Sequence, residues 1–267
     1  MTTFPRVSVR SAFGCTEMPV PLAGGQGEAF RCGDIVLKPC HDAEEGVWLA
    51  RLHLDITPDG FRLPRPVRAR SGEWIVNGWQ AWTRIEGEHD TNRWSEVIAT
   101  CRAFHRATAA IARPAFIDSR CSRFARADRI AWDEAPTDCV PQIRSTIEQL
   151  QSLLKPVHLP GQLIHGDFTE NVLFADGVPP AMIDISPCWR PAAYAQAIVM
   201  VDALDWCGAD ASILELVTDI PEIDQLLARA EIFRIAILDG FHQQGADTLG
   251  VLSGHLRTVA MLTDRLG

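Results

Sequence analysis

Residues 163–186 read LIHGDFTENVLFADGVPPAMIDIS. The stretch opens with a short apolar run, Leu163-Ile164, and continues into a polar loop that carries Asp167 and Asn171 four residues apart. A carboxylate accepts a proton, and an amide oxygen is a hard ligand for a metal ion. The spacing therefore predicts one irregular loop in which Asp167 handles a proton and Asn171 binds a metal.

A short hairpin is predicted directly after this loop. Apolar triplets at 172–174 and 181–183 flank the turn residues Asp176-Gly177, a pattern that is typical of two paired strands. Asp184 follows the second triplet and offers a second oxygen ligand of the kind that magnesium prefers. Loop, hairpin and carboxylate together predict a compact metal site.

Lysine is rare, since the chain has only Lys38 and Lys155 beside 23 arginines. Lys38 ends the apolar strand IVLK, shortly after the glycine-rich string GGQGEAF. The glycines Gly24, Gly25 and Gly27 permit a close approach of the backbone to phosphate groups. A lysine kept among so many arginines is consistent with a compact phosphate contact, because arginine presents a bulkier planar fork.

The first 80 residues predict a small α+β lobe of hairpin, helix and hairpin. The first hairpin pairs residues 28–31 with 35–38 around Gly33-Asp34, and the second pairs 66–70 with 74–79 around Ser71-Gly72. Between them Asp42 caps a helix that runs to about Leu54. The string QAWTRIEGE after the second hairpin is predicted to be an irregular connection.

Residues 81–267 predict a larger, mainly α-helical lobe around the short hairpin. Five segments have apolar residues at helical spacing: Trp94–His105, Pro141–Leu154, Ala192–Trp206, Ile223–Gly240 and Leu249–Leu266. The segment 114–138 is the least regular, and its arginines at 120, 123, 126 and 129 are interpreted as a solvated basic helix face rather than a binding patch.

Phosphoryl transfer needs a residue that orients the attacking hydroxyl, oxygen ligands for magnesium, a cation on the phosphates and a cover that excludes water. Each part has a candidate in this chain. The candidates resemble the catalytic core of the aminoglycoside phosphotransferase and choline kinase-like family, a branch of the protein-kinase-like fold. The family's H-G-D-x-x-x-x-N loop is matched by residues 165–171, and its I-D motif by Ile183-Asp184.

The resemblance implies a role for each matched residue and a two-lobed protein-kinase-like fold of the α+β class. Asp167 would be the catalytic base, Asn171 and Asp184 the Mg²⁺ ligands, and His165 a structural support of the loop. Lys38 would contact the phosphates of ATP and pair with a glutamate on the following helix. Glu45 is preferred as that partner because it shares the inward face of the helix, and Glu44 stays open.

Two features depart from the family pattern. Ser186 stands where protein kinases carry a glycine after the metal-binding aspartate. The family's D-P-x-x-D-L-A string is missing from the following segment, where Asp202 and Asp205 are approximate substitutes.

Composition argues against several classes of protein. The formal charge of -9 disfavours nucleic acid as a partner. Neither a signal peptide nor an apolar run of membrane-spanning length is found, so a cytoplasmic protein without membrane contact is expected. The eight cysteines lack C-x-x-C spacing and are expected to be reduced thiols. Cys101 and His105 have zinc-pair spacing, but no second pair follows them.

The predicted activity is that of a small-molecule kinase, which transfers the γ-phosphate of ATP to a hydroxyl of an acceptor. Residues 190–267 carry 11 acidic and 5 basic residues, which favours a cationic acceptor such as an amino sugar or amino alcohol, whereas the arginines of 120–129 favour an anionic one. The alternative is a nucleotide-binding pseudokinase that acts as a sensor. The preference for ATP over GTP and the oligomeric state stay open.

Overall fold

The computed structural model describes residues 4–22 and 27–267. The helices of these residues are, in chain order, α1 (Val7–Ala12), α2 (Ala43–Asp55), α3 (Trp94–Ala107), α4 (Phe116–Ser119), α5 (Arg123–Ala131), α6 (Pro141–Gln151), α7 (Ala192–Asp205), α8 (Ile223–His242) and α9 (Leu249–Leu266). The strands are β1 (Val20–Pro21), β2 (Phe30–Cys32), β3 (Ile35–Pro39), β4 (Pro66–Val67), β5 (Ile75–Val76), β6 (Trp79–Thr83), β7 (Gly161–His165), β8 (Val172–Leu173), β9 (Ala181–Met182) and β10 (Pro187–Pro191). Within the described ranges, the helices are too short or too polar to span a membrane.

The chain divides into two compact units. Unit 1 runs to His89 and includes Val172–Ile185, and unit 2 consists of Asp90–Asn171 and Ser186–Gly267. By packing, the first unit thus extends beyond residue 80 and takes in the hairpin of β8 and β9. The predicted functional boundary at residue 80 stays a prediction.

An antiparallel sheet of order β1-β2-β3-β6-β4 forms the centre of unit 1, and β5 also pairs with β6. The predicted hairpin of β2 and β3 is confirmed, with Phe30 opposite Leu37 and a left-handed Gly33 in its turn. One face of this sheet carries the core, where α1 packs through Val9 and Phe13 against Phe30, Leu37 and other buried residues.

The prediction of the second hairpin is wrong. The strand β6, predicted to be irregular, lies centrally and pairs with β3, β4 and β5, while β4 and β5 do not pair with each other. The hairpin turn between β5 and β6 is formed by Asn77 and Gly78, both with positive φ. Asn-Gly is the strongest short hairpin signal because both residues tolerate this conformation. Ser71-Gly72 makes only a local turn, in which Gly72 donates to the Ala69 carbonyl.

The predicted helix after β3 is confirmed as α2. Its cap is Asp42, whose carboxylate accepts a hydrogen bond of 3.0 Å from the Glu45 backbone N–H. Gly46 follows, and a Cβ atom there would lie 2.4 Å from Cys40 Sγ. The absence of a side chain thus lets the first turn of α2 lie close to the sheet, where Gln80 Nε2 donates to the Gly46 carbonyl at 2.8 Å.

The expectation of reduced cysteines is wrong for one pair. Cys15 and Cys32 form a disulfide in unit 1. In unit 2 the Cys101–His105 pair has a hydrogen-bonding role, because His105 Nδ1 contacts the Cys101 carbonyl at 2.7 Å and Nε2 accepts from the His165 backbone N–H at 3.2 Å. Both ring nitrogens of His105 are therefore used within the protein.

All five predicted long helices of unit 2 are confirmed, with ends that shift by up to three residues. The helix α8 is central, since its residues from Gln225 to Asp239 are buried and it packs against α5, α6, α7 and α9. The strands β7 and β10 pair antiparallel with His165 opposite Pro187. The chain leaves this unit after Asn171 and returns to it at Ser186.

The interpretation of the arginines in 120–129 as a solvated face is wrong. Their side chains are partly buried and bind groups of unit 2. Arg120 donates to the Pro187 carbonyl at 2.5 Å, Arg126 lies 3.4 Å from a carboxylate oxygen of Asp239, and the Arg123 guanidinium lies 4.4 Å from the centre of the Phe241 ring. These contacts fasten the irregular segment around α5 to unit 2.

Candidate active site

His165 ties the catalytic loop to the strand that returns from the hairpin. It ends β7 and is fully buried. Its Nδ1 atom accepts hydrogen bonds from the backbone N–H groups of Asp167 (3.1 Å) and Ser186 (3.3 Å). An imidazole nitrogen that accepts two N–H groups carries no proton. His165 therefore orders the loop through its ring. Beside it, the Gly166 backbone N–H donates a hydrogen bond of 2.9 Å to the Ser186 carbonyl.

Asp167 and Asn171 are joined within the loop. The Asn171 side-chain N–H₂ group donates to the Asp167 backbone carbonyl at 2.6 Å. Because the nitrogen is used in this bond, the amide oxygen of Asn171 is the atom that can bind a ligand. The Asp167 side chain is about half exposed, at 54%. The loop thus presents one accessible carboxylate and one oriented amide.

Arg234 on α8 reaches the Asp167 carboxylate, a contact that the sequence did not reveal. Its Nη2 atom donates to Asp167 Oδ1 at 3.1 Å. The same guanidinium binds Asp202 at two points, with Nε 2.6 Å from Oδ1 and Nη2 2.6 Å from Oδ2. Thr169 in the loop donates to Asp202 Oδ2 at 2.5 Å. Asp202, noted in the sequence as an approximate substitute in the family's D-P-x-x-D-L-A string, thus fastens the loop to α7.

Burial and neighbouring charges together shift the pKa values of Asp202 and Arg234. Burial raises the pKa of Asp202, against the lowering effect of Arg234. Burial alone would lower the pKa of Arg234, but the carboxylates of Asp202 and Asp167 hold it above its ordinary value. The guanidinium is therefore a fixed positive charge beside Asp167. A charged residue within the apolar run EIFRIAIL of α8 is the signal that could have pointed to it.

Lys38 and Asp184 form an ion pair in unit 1. Lys38 lies on β3 opposite Gln80, and its ammonium donates to Asp184 Oδ1. Burial lowers the pKa of Lys38 to about 8. Asp184 has a φ of 52°, a left-handed conformation that costs a non-glycine residue free energy but that aspartate tolerates better than most. In unit 1, the ammonium that is predicted to bind phosphate thus contacts the carboxylate that is predicted to bind the metal.

The other predicted nucleotide residues are described only in part. Gly24 and Gly25 lie outside the described residues. Gly27 has a φ of 68°, and a Cβ atom added there would meet no other atom within 4 Å. Glycine is therefore favoured at this position by its left-handed backbone conformation and not by a lack of space. Which of Glu44 and Glu45 pairs with Lys38 stays a prediction.

The family follows from comparison with known sequences. Residues 27–187, more than half of the chain, match the sequence model of the APH phosphotransferase enzyme family. The chain belongs to this family. The resemblance predicted from the H-G-D-x-x-x-x-N loop and the I-D motif is thereby confirmed. No curated protein matches this phosphotransferase family member in sequence.

Solved structures confirm the two-lobed α+β fold of the protein-kinase-like type. Spectinomycin phosphotransferase APH(9)-Ia in complex with ADP and spectinomycin is 15% identical, with a TM-score of 0.62 over 97% of each chain. A choline/ethanolamine kinase family protein from Mesorhizobium loti is 15% identical, with a TM-score of 0.63 over 96% of this chain and 93% of that one. The microcompartment-associated aminopropanol kinase is 13% identical, with the same TM-score and coverage.

Proposed function

We propose that this member of the phosphotransferase family transfers the γ-phosphate of ATP to a hydroxyl group of a small-molecule acceptor. The observation that carries the proposal is the ordered loop in which Asp167 keeps a half-exposed carboxylate beside Arg234. In the reaction the acceptor oxygen bonds to the γ-phosphorus, the bond to the β–γ bridging oxygen breaks, and ADP leaves. The hydroxyl proton passes to Asp167.

The position of Arg234 supports the base role of Asp167. Arg234 holds Oδ1, so Oδ2 is the oxygen that would accept the hydroxyl proton. A carboxylate fixed at one oxygen orients the acceptor, and orientation is the main contribution that a protein makes to phosphoryl transfer. The buried His165 would support the loop and would not act as a base, since its Nδ1 atom is occupied by two backbone N–H groups.

The proposed Mg²⁺ ligands are Asn171 and Asp184. Their donor atoms are an amide oxygen and carboxylate oxygens, the hard ligands that Mg²⁺ takes in proteins. A bound Mg²⁺ would neutralise charge on the phosphate oxygens. The two residues belong to different units, so their joint role rests on the family motif. Lys38, now paired with Asp184, would bind the phosphates when ATP enters.

We propose an amine-bearing acceptor. The excess of acidic residues in 190–267 favours a cation. Proteins of the same fold include a spectinomycin phosphotransferase, a choline/ethanolamine kinase family protein and an aminopropanol kinase. The competing argument for an anionic acceptor is weakened, since Arg120, Arg123 and Arg126 already contact groups of unit 2. The sensor alternative is not proposed, because nothing in the described residues favours it.

The test is transfer of labelled γ-phosphate from ATP to a panel of amino sugars, amino alcohols and their uncharged analogues, with Mg²⁺ present. The control is Asp167→Asn, which keeps the size of the side chain and should keep ATP binding while it lowers turnover about 10²- to 10⁴-fold. Equal turnover of the variant and the wild type would remove Asp167 from the mechanism. Nucleotide binding without transfer to any acceptor would contradict the proposed activity.

A further inference from the structure

A buried cluster of three ionisable side chains lies in unit 2, apart from the catalytic loop. It consists of Asp205 at the end of α7, Glu231 on α8 and His255 on α9. His255 Nδ1 lies 2.9 Å from Asp205 Oδ2 and 3.0 Å from Glu231 Oε1. At most 2% of each side chain is exposed. Three helices thus bring one nitrogen and two carboxylates together out of water.

Hydrogen bonds within the protein do not satisfy this cluster. Asp205 Oδ2 faces His255 Nδ1 but accepts no hydrogen bond, and Glu231 Oε2 also lacks a partner. The ring nitrogen carries at most one hydrogen, which serves Glu231 Oε1. Buried polar atoms are nearly always paired in folded proteins, and an unpaired carboxylate oxygen is costly. These two oxygens are therefore the atoms that a positively charged ligand would bind.

The donor set fits a divalent transition metal. Zinc binds imidazole nitrogen and carboxylate oxygen at about 2.0–2.2 Å in tetrahedral sites, which places neighbouring donors about 3.4 Å apart. The contacts of His255, at 2.9 and 3.0 Å, would need to lengthen by only about 0.5 Å. The other oxygen of Asp205 accepts a bond of 2.5 Å from the Thr258 hydroxyl. Such a bond is the usual way in which a metal-binding carboxylate is oriented.

Charge balance determines which kind of ion the donors would take. Without a metal, burial alone would lower the pKa of His255 but the two carboxylates raise it, and burial raises the pKa of Glu231, so shared protons would keep the cluster near neutrality. Metal binding requires ionised carboxylates and a neutral imidazole, and in that form the cluster carries two negative charges that need a partner of opposite sign. A divalent cation brings the cluster to neutrality. We propose that Asp205, Glu231 and His255 form a structural binding site for one Zn²⁺ ion.

The site lies one helical turn from the residues that hold the catalytic loop. Asp205 is three residues after Asp202 on α7, and Glu231 is three residues before Arg234 on α8. Residues three apart are neighbours on a helix surface. A metal at this place joins α7 to α8 and α9 and so supports the pair of Asp202 and Arg234.

The experiment measures zinc in the whole protein without nucleotide. After dialysis against a chelator and then against Zn²⁺ with excess Mg²⁺, the wild type should hold one zinc per chain and melt at a higher temperature than the zinc-free protein. His255→Gln should lower zinc affinity more than about 100-fold, and Thr258→Val about 10- to 100-fold. His158→Gln, which changes an exposed histidine, is the matched control and should bind zinc as the wild type does.

The measurement on the wild type keeps the test valid if His255→Gln fails to fold. A wild type that takes up no zinc and shows no change of melting temperature would overturn the proposal, and the cluster would then share protons instead. Equal zinc content in the wild type, Thr258→Val and a folded His255→Gln would also overturn it, since the metal would lie elsewhere. The proposal is independent of the phosphotransferase activity, because its readouts require neither ATP nor an acceptor.

Discussion

Arg234 Nη2 donates to Asp167 Oδ1 at 3.1 Å while the same guanidinium is held by Asp202. The fork of arginine makes both contacts possible at once, because its N–H groups have a fixed planar geometry. A residue of the central helix α8 therefore sets the direction of the carboxylate proposed as the base. Arg234 is a positioning residue in this arrangement and need not touch a substrate.

Arg234→Lys tests this positioning role. Lysine keeps the positive charge but is a single point donor, so it cannot hold Asp202 and Asp167 in the same geometry. Turnover should fall roughly 10- to 100-fold, because small displacements of a catalytic group have effects of about this size. The affinity for nucleotide should change little. Steady-state kinetics and calorimetry with ADP measure the two effects separately.

The control for this variant is Arg229→Lys on the same helix. Arg229 is also buried, and among the described residues it binds the Ala131 carbonyl and Asp133 rather than the catalytic loop. Both variants should lose stability, whereas only Arg234→Lys should lose turnover. Similar losses of turnover in the two variants would assign Arg234 a merely structural role.

Local patterns predicted most of the fold. The five long helices of unit 2 follow from apolar spacing, and the hairpin of β8 and β9 follows from two apolar triplets around Asp176-Gly177. The strand β6 was missed because its residues, WQAWT, contact three other strands and show no simple alternation. Asn77-Gly78 was the local signal for its turn.

The candidate site was predictable where a motif is contiguous. Asp167, Asn171 and Asp184 stand in one stretch of 24 residues, whereas Arg234 and His105 reach the loop from distant elements. Tertiary contacts of this kind leave no spacing rule in one sequence. The disulfide of Cys15 and Cys32 was missed for the same reason, since pairing depends on the distance between Cα atoms, here 5.9 Å.

Asp184→Asn tests the metal ligand while it preserves the backbone. Asparagine tolerates the left-handed φ of this position as well as aspartate does, so strain is not added. The loss of one charged ligand should lower the magnesium-dependent part of ADP affinity by roughly 1.5–3 kcal/mol. Titrations of ADP with and without Mg²⁺ measure this part.

Asp176→Asn is the control for this change, because it alters an exposed aspartate in the turn of the same hairpin. It should leave the magnesium dependence unchanged. A magnesium dependence of Asp184→Asn equal to that of the wild type would show that Asp184 is not a ligand.

His105 should make the stability of the protein sensitive to acid. Burial lowers the pKa of His105 to about 3. Between pH 6.5 and 3 the unfolded chain therefore binds a proton at this residue that the folded chain does not bind, and stability falls as pH falls. The contribution is at most about 1.4 kcal/mol per pH unit for one group.

The measurement is chemical unfolding of the wild type and His105→Gln from pH 7 to pH 4. His105→Gln should be less stable at pH 7, since it loses the bonds to Cys101 and His165, and the difference between the two proteins should shrink as pH falls. His158→Gln should follow the wild type at every pH. A constant difference across the range would mean that His105 is protonated in the folded protein as easily as in the unfolded chain.

Lys38→Ala tests whether Lys38 binds the phosphates of the nucleotide or has only a structural role. Lys38 is the last residue but one of β3, and its ammonium pairs with Asp184. As a phosphate contact it should contribute roughly 1.5–3 kcal/mol to the binding of ATP and ADP and nothing to the binding of adenosine. Calorimetry with the three ligands therefore tests the phosphate contact apart from the recognition of the base.

The chain contains its own matched control for this experiment, because Lys155 is the only other lysine and is exposed. Lys155→Ala should bind ATP, ADP and adenosine as the wild type does. Lys38→Ala should lose much of the preference for the phosphorylated ligands, while its melting temperature stays close to that of the wild type because Asp184 is half exposed and can be solvated. If Lys38→Ala and Lys155→Ala bind all three ligands alike, Lys38 lies outside the nucleotide site, and the proposed phosphate contact in unit 1 fails.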